Sequence, residues 1–307
     1  MDTDHLADTQ ELVRKQPVTK HDQNGVPSAL VHVDVAALTH RGLVRKNNED
    51  QFLVGRTERD LEVLLTSMEE EHIPRHSRET GYGMIVADGM GGTAGGEVAS
   101  RLAIKTLLDL VIQTPDWLMK IDEDLAEELV RRATDRYRKA DAAIRDQAQA
   151  DPALARMGTT LTLAVSLGAD LFVIHVGDSR AYILRHGQLQ QLTRDQTVVQ
   201  SLIDAGVLTH QEAATHNMRH VLTQALGQHG GKLKIEVQRV KLEHEDCLLL
   251  CTDGLTEMIN DAEIAALLKA PGSSDEQCRT LVDKALEAGG KDNVTVVVAH
   301  YSLPSLS

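Results

Sequence analysis

The order in which helical and strand-like patterns occur restricts this chain more than any single residue does. Residues 29–38 (ALVHVDVAAL) carry β-branched side chains in rough alternation, 50–54 (DQFLV) follow after a polar turn, and 83–87 (GMIVA) form a third apolar run. Two helical patterns come next, near 97–110 and 116–150. In the second, Leu118, Ile121, Leu125, Leu129, Ala133 and Tyr137 recur at i+3 or i+4 spacing until Pro152 stops it. Strand patterns return at 159–166, 171–176, 180–184, 234–240, 246–251 and 294–299. Short helices at 195–217, broken by Gly206, interrupt this series, and helices at 261–269 and 274–288 precede the last strand. Runs of strands with no helix between them exclude the strict βαβα alternation of a doubly wound sheet. They predict an α+β fold of mainly antiparallel strands covered by helices. The charged residues 57–80 read as a surface excursion, and no repeat of fixed period is visible.

Composition narrows the class. A chain of 307 residues hides roughly three quarters of its unfolded surface. With only 2% aromatics, its core must be built from Leu, Val, Ile and Ala. The net charge of −14 argues against nucleic acid or an anionic membrane as partner and suits a protein that holds divalent cations. Residues 1–27 are polar, lack apolar periodicity and end in Asn24-Gly25-Val26-Pro27, the pattern of a flexible arm; 28–302 read as one domain and 303–307 as a tail. No secretory signal or spanning segment is legible, so a soluble cytoplasmic protein is expected. Cys247, Cys251 and Cys278 have no zinc-ligand spacing and read as small apolar core residues.

The chemistry lies in where the acids fall. Asp88 follows the run GMIVA, Asp178 follows LFVIHV and a glycine, and Asp253 follows CLLLC and a threonine. Asp292 immediately precedes NVTVVV, and Glu49 and Asp50 lead into QFLV. One Asp-Gly is most simply a turn. Six carboxylates at the ends of buried strands are costly unless they are paired or bound to metal. Hard oxygen donors in this number suit Mg²⁺ or Mn²⁺ rather than zinc, and they indicate a carboxylate-rich, dinuclear site. Arg45, four residues before Glu49, offers a planar fork for phosphate oxygens. Hydrolysis of a phosphate ester is the chemistry suggested.

The motifs, in order, are Gly42 to Asp50 (GLVRKNNED), Val86 to Gly92 (VADGMGG), Met157 to Thr160 (MGTT), Val176 to Arg180 (VGDSR), Leu222 to Gly227 (LTQALG), Thr252 to Leu255 (TDGL) and Asp292 to Thr295 (DNVT). Together they resemble the metal-dependent protein serine/threonine phosphatases of the type 2C class, the PPM family, in its bacterial form. The resemblance implies two packed antiparallel β-sheets flanked by helices, an α-β-β-α sandwich. It implies hydrolysis of phosphoserine and phosphothreonine on proteins by a water bridging two Mn²⁺ or Mg²⁺ ions, without a phosphoenzyme. By position, Asp50, Asp88 and the Gly89 carbonyl match ligands of the metal pair, with Asp88 bridging, and Asp253 and Asp292 complete one site. Glu49 matches a contact to metal-held water, Asp178 matches a ligand of a third, weaker ion shared with Asp253, and Arg45 matches the phosphate-binding arginine. Residues 195–222 match the flap beside the site. A serine/threonine protein kinase is the implied functional partner. Met90 departs from the members that carry His there, and a thioether cannot donate a proton to the leaving group.

Three other readings compete. Gly89-Met90-Gly91-Gly92-Thr93-Ala94 fits G-x-G-x-x-A after a strand, but Asp88 would then set a carboxylate beside a pyrophosphate. A regulatory module that has lost catalysis would lack ligands, whereas each matched acid is present. A phosphatase of small molecules stays open, because a metal centre does not specify what carries the phosphate. His72 and His76 are expected at the surface, His175 as a satisfied buried histidine, and Trp117 in helix packing.

Overall fold

Continuous apolar runs such as CLLLC and VTVVVA can be strands only if both of their faces are buried, and a four-layered architecture does this. The computed structural model describes residues 28–68, 75–91, 95–113, 123–228 and 232–304, with backbone alone at 123–125. One five-stranded sheet runs in the order β1 (His32–His40), β12 (Val294–Ser302), β11 (Cys247–Cys251), β8 (Arg180–Arg185), β9 (Gln188–Gln191). The other runs β10 (Glu236–Lys241), β7 (Asp170–Val176), β6 (Leu161–Leu167), β3 (His76–Ala87), β2 (Gln51–Glu62). A two-stranded ladder joins β4 (Gly89–Met90) to β5 (Gly158–Thr159). Every ladder is antiparallel among the described residues, which removes the dinucleotide-binding reading.

Period-two alternation sorts the side chains into three apolar layers. Met84, Val86, Leu248, Leu250, Val297 and Ala299 meet between the sheets. Their neighbours Ile85 and Ala87 face α1 (Gly95–Gln113) and α2 (Glu123–Ala150), where Ala103, Leu107, Tyr137 and Ile144 close the layer. Cys247, Leu249, Cys251, Val296 and Val298 face α6 (Asp261–Lys269) and α7 (Ser274–Glu287) on the far side. The few aromatics are placed where volume is needed: Tyr137, Tyr182 and Tyr301 are among the largest fully buried side chains. The three cysteines are buried free thiols, as expected, and burial pushes each up to about 12. Among the described residues no helix is long and apolar enough to cross a membrane.

Two expectations need correction. Residues 57–80 are for the most part not an excursion but the outer half of a hairpin, since β2 and β3 pair in register from Gln51↔Ala87 to Glu62↔His76. The ribbon is largely exposed on both faces beyond Gly81, so its sequence carries no apolar alternation to announce it. The short strand β9 (QLQQ) was also not expected; its pairing with β8 beyond the left-handed His186-Gly187 turn specifies it. His76 is exposed, whereas the arm 1–27, His72, Trp117 and residues 305–307 lie outside the described residues.

Candidate metal centre

Antiparallel pairing places strand starts beside strand ends, and this gathers acids that are far apart in the chain. In one sheet Gln51, Ala87, Leu161 and Val176 share one end. Asp50 therefore precedes β2 next to where Asp88 follows β3, and Asp178 lies just past β7. In the facing sheet His40, Val294, Cys251 and Arg180 share an end. There Asp253 opens α5 (Asp253–Thr256) after β11, and Asp292 precedes β12.

Asp50 and Asp88 are held by neutral partners, and Asp292 by a cation. Asp50 is 2% exposed, and its Oδ2 accepts from Thr252 Oγ1 at 2.8 Å and Thr295 Oγ1 at 2.7 Å, tying one sheet to the other. At Asp88 the backbone is fixed: its N–H donates to Thr160 Oγ1 at 2.9 Å, and its carbonyl accepts from Thr160 N at 2.9 Å and Thr159 Oγ1 at 2.8 Å. Asp253 Oδ1 is buried and accepts no hydrogen bond. Asp292 accepts from Arg45 at 2.5 Å and from its neighbour Asn293 N at 2.8 Å. Arg180 is already engaged by Asp195 through two bonds of 2.9 and 2.7 Å.

Burial among like charges shows in the titration of Asp50, Asp253, Asp88, Asp178 and Glu49. Desolvation pushes Asp50 up to about 7, helped by Asp253 and Asp292 and opposed by the two threonine hydroxyls. Desolvation, then Glu257 and Asp292, push Asp253 up to about 6. Asp88 rises well above the carboxylate range through burial, then Asp253, Asp50 and Asp178. Asp178 rises likewise through burial, Asp253 and Asp195. Glu49 is raised by burial, with Arg45 opposing.

The loop that carries Arg45, Glu49 and Asp50 is pinned by one side chain that the sequence did not single out for this work. Asn293 donates to Arg41 O at 2.8 Å and Asn47 O at 2.9 Å and accepts from Glu49 N at 2.8 Å. Gly42, at φ +78, is needed at the crossing, because a Cβ there would collide with the Asp292 carbonyl. Asn293→Ala is expected to cost about 2–4 kcal/mol, three bonds in a largely buried setting, in urea unfolding. Loss of less than about 1 kcal/mol would show that the loop is held otherwise. On the other side Gly89 and Gly96 pass so closely that a Cβ on either would collide with the other's backbone, which brings the start of α1 against the acids.

All eight sequence-selected positions, Arg45, Glu49, Asp50, Asp88, Gly89, Asp178, Asp253 and Asp292, thus come to one end of the sandwich. Thr252, Thr295 and Thr160 were missed as their supports. His220 and Glu257 were missed as well: with Asp253 they form a group whose ligand atoms lie within 4.8 Å of one another, and His220 Nδ1 touches Glu257 Oε1. No local pattern marks His220. It arrives on the segment containing α3 (Val198–Asp204) and α4 (His210–Ala214), which leaves and rejoins the fold at adjacent points through Val198 N to Val221 O at 2.8 Å and Thr223 N to Gln196 O at 2.7 Å. His175 is a satisfied buried histidine, bonded at 2.9 Å to Thr162 and 3.0 Å to the Gly177 carbonyl, and desolvation lowers it to about 4.

Known proteins resemble the chain over most of its length. The serine/threonine protein phosphatase PstP of Mycobacterium tuberculosis is 38% identical over 266 residues, 86% of this chain and 44% of that protein, so the chain spans less than half of that relative. Protein phosphatase PhpP of Streptococcus pneumoniae is 32% identical over 278 residues, 87% of this chain and 96% of its own. The solved catalytic domain of PstP in complex with two manganese ions superposes with a TM-score of 0.70 at 34% identity, covering 89% of this chain and 99% of that one. The model of the protein phosphatase 2C family matches residues 74–288, and with these relatives it establishes that the chain belongs to that family.

Proposed function

We propose that this chain hydrolyses phosphoserine and phosphothreonine esters on proteins with the help of Mn²⁺ or Mg²⁺. The observation that carries this is a set of buried, like-charged carboxylates, Asp50, Asp88 and Asp253, pushed upward and the last with an orphaned oxygen, beside an arginine with a half-exposed side chain. An all-oxygen donor set of this kind fits hard divalent cations. Asp50, Asp88, the Gly89 carbonyl, Asp253 and Asp292 would hold two ions, Glu49 would reach them through water, and Asp178 with Asp253 would hold a weaker third. Bound there, the ions supply a hydrolytic water activated at neutral pH and charge to offset the phosphoryl oxygens.

The protein's own residues do the rest. Arg45 binds and orients the phosphate by charge-assisted bonds. Thr252 and Thr295 fix the Asp50 carboxylate, and Thr160 fixes the Asp88 peptide, so that the donors are preorganised. Residues 195–222 act as a flap over the cleft. Met90 cannot donate a proton, so water serves the leaving group. The serine/threonine protein phosphatase PstP supports protein substrates. A serine/threonine kinase as the opposing activity and a cytoplasmic setting belong to the same proposal and rest on the family resemblance.

The test is turnover of a phosphothreonine peptide by the purified chain with Mn²⁺ and with EDTA. Turnover is expected only with metal, and metal-independent turnover would sink the reading. Arg45→Ala should lower kcat/KM by about 10- to 100-fold, the worth of one charge-assisted clamp. An unchanged value would remove Arg45 from the phosphate site.

A further inference from the structure

The mouth of the centre carries aliphatic side chains that the hydrolytic chemistry does not use. Leu43 and Val44, the two residues before Arg45, are 65% and 67% exposed. They are not on a loose loop. Leu43 N donates to Gly290 O at 2.7 Å, Gly42 is wedged against Asp292, and Asn293 grips the carbonyls of Arg41 and Asn47 on either side. A backbone pinned on both flanks with two adjacent aliphatics turned to solvent is a presented surface rather than a frayed one.

The flap offers a second pair. Met218 and Val221, 39% and 46% exposed, bracket the short stretch whose His220 touches Glu257. His220 groups with Asp253 and Glu257, and Arg45 bonds Asp292, so the flap tip and the Arg45 loop border the same centre. A phosphate gripped by Arg45 would therefore have aliphatic side chains on both bordering segments. In an extended peptide successive residues are about 3.3 Å apart, so the residues next to the phosphorylated one reach side chains one and two positions from Arg45.

We propose that Leu43 and Val44, with Met218 and Val221 on the flap, form the subsites for aliphatic side chains flanking the phosphorylated residue of an extended protein segment. This rests on the protein-phosphatase reading and deepens it. The occupant is a phosphopeptide because these side chains border the centre that holds the phosphate, and a small phosphorylated metabolite would leave them uncovered. Removing aliphatic contacts from a binding pocket changes kcat/KM by about 10-fold or more.

The test compares three phosphothreonine peptides, flanked by Leu and Val, by Asn and Ser, or by Asp and Glu, with p-nitrophenyl phosphate as a probe that has no flanks. The whole chain is assayed with Mn²⁺ as the wild type, as Leu43→Asn/Val44→Asn and as Met218→Gln. The wild type should favour the aliphatic peptide about 10-fold over the polar one. The double variant should bring the two within about twofold, with p-nitrophenyl phosphate unchanged, and Met218→Gln should lie between. Equal use of all peptides, preference for the acidic one, or a preference that survives the double variant overturns the inference and leaves the phosphatase reading standing. Turnover of p-nitrophenyl phosphate with none of any peptide overturns both.

Discussion

Asp253→Asn should abolish turnover and at the same time make the metal-free protein harder to unfold. The two effects have one cause. Asp253 lies among Asp88, Asp50, Asp178, Asp292 and Glu257, buried and with one oxygen unpartnered. With metal, its charge and geometry are what the proposed centre needs, and several kcal/mol of charge stabilisation depend on it; loss of about 10³-fold or more in kcat is expected. Without metal, the same charge repels its neighbours, and an isosteric amide removes the repulsion and can donate to Asp88. An increase of about 1–2 kcal/mol is expected in EDTA at pH 8, read as a rise of a few degrees in Tm. A purely structural role for Asp253 would lower Tm along with turnover. That result would refute the assignment of this carboxylate to a cation.

How much of this was legible before folding differs by element. Strand-terminal acids stood out because buried runs such as CLLLC and GMIVA are followed within two residues by Asp, and a buried strand end has few reasons to carry a charge. The antiparallel α+β class followed from strand runs without helices between them, and the two-sheet sandwich from the family resemblance. The capping boxes of α6 and α7, Asn260 and Ser273 each answered by Glu three residues on, were a signal in the sequence that went unused. The outer half of the β2–β3 hairpin was illegible, because a ribbon exposed on both faces has no burial to impose a period on RTERDLE. The roles of Thr252 and Thr295 were hidden for the opposite reason: at the end of or inside an apolar strand a threonine passes as a β-branched filler, and only the facing sheet shows that both hydroxyls converge on Asp50. His220 and Glu257 meet through tertiary structure alone. Ligand roles for individual acids came from the family resemblance, whereas pattern alone reached only a carboxylate-rich site.

Metal-free protein should lose stability as pH rises from about 5 to 8, against the usual behaviour of salt-bridged acids, and Mn²⁺ should abolish or reverse the slope. The sign comes from linkage. Asp50 and Asp253 are raised in the fold, to about 7 and about 6, so between the ordinary carboxylate range and those values the native state binds more protons than the unfolded chain. Their stabilising protons are fully present below the unfolded values and are lost as pH climbs through the folded ones. Asp88 and Asp178, raised further, extend the window upward. For Asp50 the part of the displacement that lies between pH 5.5 and about 7 corresponds to about 2 kcal/mol, and Tm in EDTA should fall by roughly 5 °C between pH 5.5 and 8. A divalent cation binds the ionised form and takes the place of those protons, so in millimolar Mn²⁺ the pH 8 melt should rise most. Melts in EDTA that are higher at pH 8 than at pH 5.5 would mean that the acids are already paired within the fold. The physical ground for a metal in this cleft would then be gone.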